Sequence, residues 1–336
     1  MRVGDSKSSD VNSSTLYFDI SDDQWPIVYR SEYDVRFWGL ELLHPFDAHK
    51  WGRVANFLIK NGMLDEKMMV KPFEASKEEL LKVHSKKYLK TLNWSFQVAM
   101  ISEIAGLVMV PNVIVQKRYL KPMRYQVGGS ILAGKLALER GYAINIGGGF
   151  HHCSAIKGGG FCPYADITLL IKNIKQYYNI DKVLIVDLDA HQGNGYARDF
   201  LNDQDIYIMD MYNYAIYPGD IPAKKAIRKK IELDCYTNDK EYLQLLQTHL
   251  DAALDEFQPK LVVYNAGTDV LAGDPFGRLS ITASGIIQRD EIVFKKVRNL
   301  SIPIVMLTSG GYLPETAFII SESIINLKMV NLIGPK

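Results

Sequence analysis

Short, nearly continuous apolar runs recur along the chain and alternate with amphipathic segments. Five such runs cover residues 142–146, 183–188, 206–209, 261–264 and 302–307. Runs this short and apolar are typical of strands that are buried on both faces of a parallel sheet. Helices are predicted between them over residues 130–140, 241–257 and 284–299, and Gly141, Pro259 and Pro303 mark where they end. This alternation predicts an α/β fold with a mostly parallel sheet.

The N-terminal residues differ in composition from the rest of the chain. Residues 1–15 are polar and rich in Ser and Asp, and they contain no apolar signal core. We therefore predict a mobile N-terminal tail over 1–15 and a single domain over 16–336. The most apolar stretch, residues 101–115, is interrupted by Glu103, Pro111 and Asn112 and is too short to span a bilayer. No membrane span is expected.

Composition narrows the class of protein. The chain has 336 residues with 39 Lys and Arg against 38 Asp and Glu, and its content of 47% hydrophobic and 23% charged residues is that of a globular protein. The near-neutral charge argues against direct nucleic-acid binding, and the basic cluster at 224–230 is interpreted as a solvated face. Three cysteines are too few for a disulfide framework and fit a reducing compartment. We expect an intracellular protein, in the nucleus, the cytoplasm or both.

Polar and glycine-rich sequence follows four of the predicted strands. The segments are Gly-Gly-Gly-Phe-His-His at 147–152, Asp-Leu-Asp-Ala-His at 187–191, Asn-Ala-Gly-Thr-Asp at 265–269 and Thr-Ser-Gly-Gly-Tyr at 308–312. In open α/β sheets, ligands bind outside the carboxyl ends of the strands. The four segments are therefore predicted to meet in one crevice.

A metal site is predicted in this crevice. If the strand alternation continues through 187–191, Asp187, Asp189 and His191 lie on one side, which is a poor core face because burying unpaired charge is costly. Together with Asp269, Asp189 and His191 would supply three ligands and leave a position for water, as in catalytic metal sites. Zn²⁺ suits this set, and Fe²⁺ or another first-row ion fits it as well. The alternative is that the aspartates close turns or cap helices.

Other side chains of the same segments suggest acid–base chemistry. His151 and His152 are candidates for general base and acid because imidazole titrates near neutral pH. Tyr312, after two glycines, is a candidate donor to an oxyanion. Phe150 and Phe161 can form two walls of a narrow channel, although ordinary core aromatics would give the same pattern. The remaining histidines are interpreted as structural or surface residues: His44, His49, His84 and His249.

These motifs, taken together, resemble the zinc-dependent histone deacetylases, and class IV members in particular. The resemblance runs from about residue 27 to about residue 327 and rests on six segments: 147–152, 160–162, 187–195, 217–219, 265–274 and 309–312. It implies an arginase-like α/β fold with an eight-stranded parallel sheet and helices on both faces. Residues 16–336 would then form a histone deacetylase-like catalytic domain.

The resemblance also implies a role for individual residues. Zn²⁺ would be held by Asp189, His191 and Asp269. The proton-transfer and oxyanion groups would be His152 as general base and then acid, His151 as its electrostatic partner, Tyr312 as oxyanion donor, and Asp187 and Asn194 behind the two histidines. The acyl-lysine tunnel would be lined by Phe150, Gly160 and Phe161. A K⁺ ion would be bound by Asp187, Asp189 and His191 with backbone groups of Asp210 and Met211.

The implied reaction is zinc-dependent hydrolysis of Nε-acyl-lysine amides in proteins, with long-chain fatty acyl groups favoured over acetyl. The implied partners are acylated-lysine proteins, histone or non-histone, and co-regulator proteins. Class I enzymes have an aspartate where this chain has Asn194, and their acidic rim loop has no clear counterpart before Gly128, so histone specificity stays open. The alternatives are a catalytically weak acyl-lysine-binding scaffold and an acylpolyamine amidohydrolase. A ureohydrolase with two Mn²⁺ ions is disfavoured because the motifs offer no further bridging carboxylates.

Overall fold

A parallel sheet forms the centre of the computed structural model, which describes residues 14–37, 39, 41 and 46–335. Within these residues the sheet has seven strands: β1 Ile27–Val28, β2 Tyr142–Asn145, β3 Val183–Asp187, β4 Ile206–Asn213, β5 Lys229–Leu233, β6 Leu261–Asn265 and β7 Ile304–Leu307. Their spatial order is β1-β2-β7-β6-β3-β4-β5, and every neighbouring pair is parallel. The predicted α/β fold with a parallel sheet is confirmed.

The expected eighth strand is not found among the described residues. Beside β1, the chain pairs only at Val70, which forms an isolated parallel bridge with Val28. The Val70 N–H donates to the Ile27 carbonyl, and the Tyr29 N–H donates to the Val70 carbonyl. Two residues further on, Pro72 has no N–H to donate, so the pairing does not extend into a strand. The prediction of eight strands was therefore wrong, because the segment beside β1 forms a single bridge and not a strand.

Helices cover both faces of the sheet, as predicted. Their bounds are α1 Lys50–Lys60, α2 Lys77–Leu80, α3 Lys86–Thr91, α4 Ser95–Ser102, α5 Asn112–Val115, α6 Lys121–Arg140, α7 Asp166–Tyr178, α8 Asn194–Asp199, α9 Asp239–Phe257, α10 Ala283–Asn299 and α11 Thr316–Met329. Successive strand residues point to opposite faces. In β3, Val183 and Ile185 belong to the core formed with α6, α7 and α8, whereas Leu184 and Val186 belong to the core formed with α1, α9, α10 and α11.

The helix α6 is longer than the sequence predicted. It already begins at Lys121, and two glycines in its interior, Gly128 and Gly129, weaken the helical signal of that part of the chain. Both are needed for close packing, because a Cβ would collide with the Phe73 carbonyl at the first and with the Tyr33 hydroxyl at the second. The predicted end is confirmed, since Gly141 has a φ of 80° and its N–H donates to the Ala137 carbonyl.

A third core cluster packs α3, α4 and α5 against α6 and contains much of the apolar stretch 101–115. That stretch forms the end of α4, a 3₁₀ turn over Ala105–Met109 and α5. Over the described residues, no helix combines the length and the apolar character needed to cross a bilayer. Most of the predicted N-terminal tail, residues 1–13, lies outside the described residues, as does His44. Ser14, just after the undescribed part, is buried and hydrogen-bonds Glu79.

Candidate active site

The segments that follow β2, β3 and β7 meet in one pocket, as predicted from the polar ends of the strands. The cavity has a volume of about 120 Å³. Its lining includes residues 148–152 after β2, Asp189 after β3, and Ser309, Gly310 and Tyr312 after β7. Asp269, which follows β6, lies directly behind this lining and contacts His191.

The segment 187–191 reaches the site by turns and not as a continuation of the strand, and Leu188 and Ala190 pack in the hydrophobic core. The strand β3 ends at Asp187, whose Oδ1 accepts a 3.1 Å hydrogen bond from the Asp189 N–H. Asp189 Oδ1 in turn accepts a 3.0 Å bond from the His191 N–H. Aspartate side chains that bond the backbone two residues on stabilise turns in place of extended structure. The alternative that these aspartates close turns was therefore correct, and Asp189 nevertheless lies beside His191 and Asp269.

Asp189, His191 and Asp269 are buried and offer ligand atoms that all lie within 4.8 Å of one another. His191 Nδ1 is 2.8 Å from Asp269 Oδ2 and 3.1 Å from Asp189 Oδ1. Asp269 Oδ1 accepts from the Ala190 N–H, which fixes the orientation of its carboxylate. At Gly310, a Cβ would lie 2.6 and 2.8 Å from carboxylate oxygens of Asp189 and Asp269, so only glycine leaves this space open. Two carboxylates and an imidazole at such distances fit a divalent metal ion.

The pKa values of Asp269 and His191 also favour the binding of a metal ion. Burial and the neighbouring Asp189 carboxylate raise the pKa of Asp269 to about 7. Burial disfavours a charged His191, but hydrogen bonds to Asp189 and Asp269 outweigh it and raise the pKa of the imidazole to about 10. The group therefore attracts a cation, and a metal ion must displace the His191 proton when it binds.

The two predicted catalytic histidines lie side by side, with ring centroids 4.0 Å apart, but they have different partners. His151 Nδ1 donates to Asp187 Oδ2 at 2.9 Å, and His152 Nδ1 donates to Asn194 Oδ1 at 2.9 Å. Burial opposes a charge on His151, and the carboxylates of Asp189 and Asp187 outweigh it and raise its pKa to about 9. Burial and the charge of His151 hold the pKa of His152 well below its usual range. The pair thus combines an imidazolium with a neutral imidazole.

The partner of His152 is itself oriented by a chain of polar side chains. Asn194 Nδ2 donates to Asp220 Oδ2 at 3.1 Å, and Arg198 donates two hydrogen bonds to the same carboxylate. Because the amide nitrogen of Asn194 faces Asp220, its oxygen faces His152 and accepts the Nδ1 proton. His152 Nε2 consequently carries the free lone pair that a general base needs.

Asp187 lies behind His151 and is held by neighbours that the sequence did not single out individually. Its Oδ2 accepts from the Tyr196 hydroxyl at 2.7 Å, and its Oδ1 accepts from Asn265 Nδ2 at 2.9 Å. Its register partner on β4 is Asp210, whose Oδ1 is buried and has no hydrogen-bond partner among the described residues. Met211 is the next residue of β4. Burial and the charge of Asp187 raise the pKa of Asp210 well above its usual range. A buried acceptor without a donor is compatible with a cation between the strands.

The glycine-rich loop before the histidines depends on Asp166, which the sequence analysis missed. Its carboxylate accepts from the Gly149 N–H and the Phe150 N–H at 2.8 Å each, and from the Ser130 hydroxyl at 2.6 Å. Asp166 opens helix α7, where an aspartate is common because it complements the helix dipole. That ordinary position concealed its function of holding the loop that carries His151.

The turn that carries Tyr312 depends on a second missed residue, Lys50. The buried Lys50 ammonium donates to the backbone carbonyls of Ser309, Gly310 and Gly311 at 3.0, 2.8 and 3.3 Å. Burial lowers the pKa of Lys50 to about 7, although nearby carboxylates oppose this. Lysines are almost never fully buried, so the sequence offered no reason to select this one.

Tyr312 itself points into the pocket from the end of that turn. Its N–H donates to Asp274 Oδ2 at 3.0 Å, and its ring packs edge-on against Phe276 and Phe161 at 4.6 and 5.9 Å. Burial and the charge of Asp269 raise the pKa of the Tyr312 hydroxyl well above its usual range. The hydroxyl therefore stays protonated and is available as a donor.

The predicted channel residues belong to the pocket lining. Phe150, Gly160 and Phe161 are all part of the lining. A Cβ on Gly160 would collide with the His152 ring, so this glycine lets the channel wall lie directly against the imidazole. Tyr217, which the sequence analysis noted only within a motif, packs edge-on against the same ring at 4.9 Å. The pocket lining also includes apolar side chains: Val35, Phe37, Trp51, Leu107 and Met123.

His84 and Cys153 lie outside the pocket lining, whereas Cys162 is part of it. His84 is buried between the Ala155 carbonyl and the Ala165 N–H, and burial lowers its pKa to about 4. Burial also raises the pKa of Cys153 and Cys162, which disfavours the nucleophilic thiolate. Their interpretation as structural residues agrees with these surroundings.

The chain is similar in sequence to known deacetylases. Residues 44–327 match the family model described as "Histone deacetylase domain". The chain is 53% identical over 321 residues to "Histone deacetylase 2" of Arabidopsis thaliana, a match that covers 96% of this chain and 83% of that protein. It is 29% identical over 283 residues to "Histone deacetylase 1" of Homo sapiens, with 80% of this chain and 57% of that protein covered. It therefore spans little more than half of the human protein.

The fold also has a counterpart among solved structures. The crystal structure of the HDA15 HD domain superposes with a TM-score of 0.74 at 19% sequence identity, and the match covers 91% of this chain and 88% of that one. At this identity the likeness concerns the fold alone.

Proposed function

The chain belongs to the histone deacetylase family, and we propose that it hydrolyses Nε-acyl-lysine amides in proteins. Family membership supports deacetylase activity. The observation that carries the proposal is the histidine pair, with His151 bonded to Asp187 and His152 to Asn194, beside the cluster of Asp189, His191 and Asp269. A protein that only binds acyl-lysine would need neither the histidine pair nor Tyr312, so the scaffold alternative is disfavoured.

The proposed cofactor is Zn²⁺, held by Asp189, His191 and Asp269. When bound, such an ion polarises the amide carbonyl and lowers the pKa of a water molecule toward neutrality. We also propose that K⁺ lies near Asp187 and Asp210, where the buried Asp210 Oδ1 has no donor among the described residues. These two carboxylates pair in register across β3 and β4, and a cation would offset their mutual repulsion.

Each of the site residues has its own part in the proposed reaction. His152, neutral and with Nε2 free, takes the proton of the attacking water and then gives it to the leaving lysine amine. His151 keeps its positive charge through Asp187 and stabilises the negative charge that develops beside it. Tyr312 donates its hydroxyl proton in a hydrogen bond to the oxyanion, and Lys50 and Asp274 hold the turn that positions it.

Within the family we propose a class IV type of site that prefers long acyl chains. The first part rests on Asn194, which lies behind His152 where class I enzymes have an aspartate. The second rests on the apolar side chains in the pocket lining, against which each buried methylene of a ligand contributes about 0.8 kcal/mol to binding. An acetyl group would leave most of this surface unused. The substrates would be acylated-lysine proteins, histone or non-histone, reached in the nucleus, the cytoplasm or both, with co-regulator proteins as further partners.

A peptide series from acetyl-lysine to myristoyl-lysine tests the proposal on Zn²⁺-loaded protein. We expect turnover that is lost in His152→Ala and kept in His249→Ala, a matched change of a partly exposed histidine on α9 outside the pocket. The acyl preference is expected as a kcat/KM that rises with chain length. Faster acetyl cleavage would overturn the acyl preference alone. Absence of turnover on every peptide, with zinc bound, would overturn the lysine deacylase function.

A further inference from the structure

The apolar stretch noted in the sequence forms an exposed surface that the proposed reaction does not use. Six large apolar side chains, crowded into residues 94–113, are each between 46% and 87% exposed: Trp94, Phe96, Met100, Val108, Met109 and Val113. We name these six residues the apolar patch. Single exposed apolar residues are normal on a protein surface, but a contiguous group marks an interaction site.

Hydrogen bonds hold the segments of the apolar patch together. Phe96 and Met100 are one turn apart on α4 and so lie on the same side of the helix. Ser95 Oγ donates to the Val110 carbonyl at 2.7 Å, which ties the start of α4 to the end of the following 3₁₀ turn. Asn112 Nδ2 donates to the Leu92 carbonyl at 3.2 Å, which ties α5 to the end of α3. The segments that carry the six side chains are therefore braced against one another.

The helix α4 is apolar on the side that faces solvent as well as on the side that faces the core. Val98, Ala99 and Ile101 are buried, whereas Phe96 and Met100 are more than 60% exposed. Surface helices of globular proteins normally carry charged or polar residues on their outer side. No charged residue occurs anywhere in α4. Its outer side therefore suits an apolar environment better than water.

Positive charges flank the apolar patch on both sides along the chain. Lys86, Lys87 and Lys90 are exposed on α3, and Lys117 is exposed just after α5. None of these four lysines forms an ion pair within the described part of the chain. Glu103 is the one exposed acidic residue between Trp94 and Val113. Aromatic and aliphatic side chains bordered by free lysines are complementary to an anionic lipid surface.

The apolar patch is continuous with the wall of the active-site pocket. Ile104 and Leu107 line the pocket, and Leu107 directly precedes Val108 and Met109 of the patch. The Phe161 N–H donates to the Ile101 carbonyl at 2.9 Å, which joins α4 to the aromatic wall of the channel mouth. A surface that rests on the patch would therefore lie beside the pocket.

We propose that the apolar patch docks on the interface of anionic lipid bilayers. The six side chains enter the region between headgroups and acyl chains, and the four lysines contact the anionic headgroups. Docking in this way brings the pocket to proteins that a fatty acyl chain holds at the bilayer. This last consequence rests on the proposed function, whereas docking itself does not.

Flotation of the full chain with vesicles tests the docking. We expect binding to vesicles of phosphatidylcholine with phosphatidylserine, weaker binding to phosphatidylcholine alone, and a decrease with added salt. Phe96→Ser with Met109→Ser should lower the bound fraction at least tenfold. Lys87→Gln with Lys90→Gln should lower binding to the anionic vesicles and reduce its dependence on salt. Leu300→Ser with Met329→Ser is the matched control, because both residues are exposed apolar residues outside the pocket and the patch.

Activity on a water-soluble acyl peptide separates this proposal from the proposed function. None of the four substituted patch and lysine residues lines the pocket, so all variants should hydrolyse the soluble peptide like the unaltered protein. Loss of vesicle binding with full soluble activity supports the docking surface. A chain that binds no vesicles, or a Phe96→Ser and Met109→Ser variant that binds them fully, would overturn it. Patch variants that change only the oligomeric state or capture of a protein partner would show a protein interface and would overturn it too.

Discussion

Replacing Asn194 by aspartate changes the charge behind the proposed general base with little change in shape. The Asn194 amide accepts from His152 Nδ1 at 2.9 Å, and an aspartate would place a carboxylate oxygen at the same position. A carboxylate at this distance favours the imidazolium and raises the pKa of a histidine by about 1 to 3 units. At 1.36 kcal/mol per unit, this is a differential stabilisation of about 1.4 to 4 kcal/mol.

The direction of the effect on rate follows from the protonation state that the base needs. His152 acts when neutral, and its depressed pKa in the unaltered protein keeps it neutral down to low pH. In Asn194→Asp, His152 becomes protonated at higher pH, so the acidic limb of kcat/KM moves up by about 1 to 3 pH units. Above the new pKa, the variant should be as fast as the unaltered protein or faster, because His152 is then a stronger base.

The same substitution places two carboxylates together, since Asn194 Nδ2 lies 3.1 Å from Asp220 Oδ2. Asp220→Asn in the same chain removes this repulsion, and Asp220→Asn alone serves as the control that should leave the acidic limb in place. The assay is kcat/KM of an acyl-lysine peptide against pH on zinc-loaded protein, with thermal unfolding to check each variant. A folded double variant with an unshifted acidic limb would refute the reasoning about Asn194 and His152.

Three further predictions concern the turn that carries Tyr312, the proposed oxyanion donor, and the proposed metal ligands Asp189, His191 and Asp269. Tyr312→Phe should keep the zinc content, measured by metal analysis, and lower kcat about 10² to 10³-fold; an unchanged kcat would remove Tyr312 from the mechanism. Gly310→Ala should weaken zinc binding in a chelator competition, because its Cβ would meet the carboxylates of Asp189 and Asp269; equal affinity would contradict this. Lys50→Met should lower the free energy of unfolding by about 1 to 3 kcal/mol, since buried carbonyls lose their donor. Lys50→Met should also lower kcat by a larger factor than it changes KM. Lys50→Arg should restore both the free energy of unfolding and kcat. Urea unfolding and steady-state kinetics of the two variants test these expectations.

The strand and helix pattern could be predicted because it depends mostly on local periodicity. The run at 183–188 became β3, and the residue that ends it, Asp187, was already recognised as polar at a strand end. Errors occurred where a long-range contact overrides local preference. Gly128 and Gly129 disfavour a helix by themselves, yet α6 includes both because Phe73 and Tyr33 pack against them. The missing eighth strand likewise depends on a single proline, Pro72, beside the sheet edge.

The residues of the metal trio could be identified because their chemistry is visible in the sequence. Two carboxylates and an imidazole after buried strands are costly to bury unless they are paired or bind a metal ion, and this can be inferred from the sequence. Lys50 and Asp166 carry no such signal. A lysine at the start of α1 and an aspartate at the start of α7 are common at helix ends, and only the folded chain brings them to the carbonyls and N–H groups of the site.

The sequence by itself determined the parallel α/β architecture and the identity of the groups that meet at the strand ends, because apolar periodicity and residue chemistry are local properties. The tertiary structure alone decided how those groups are charged. His151 and His152 are the same residue type, adjacent in the chain, yet one has a raised pKa and the other a lowered one. Their partners Asp187 and Asn194 lie 36 and 42 residues away in the sequence. In a buried site of low dielectric, the charges that the fold places around each ring determine its protonation state. The carboxylates of Asp189 and Asp187 raise the pKa of His151, whereas burial and the charge of His151 lower that of His152.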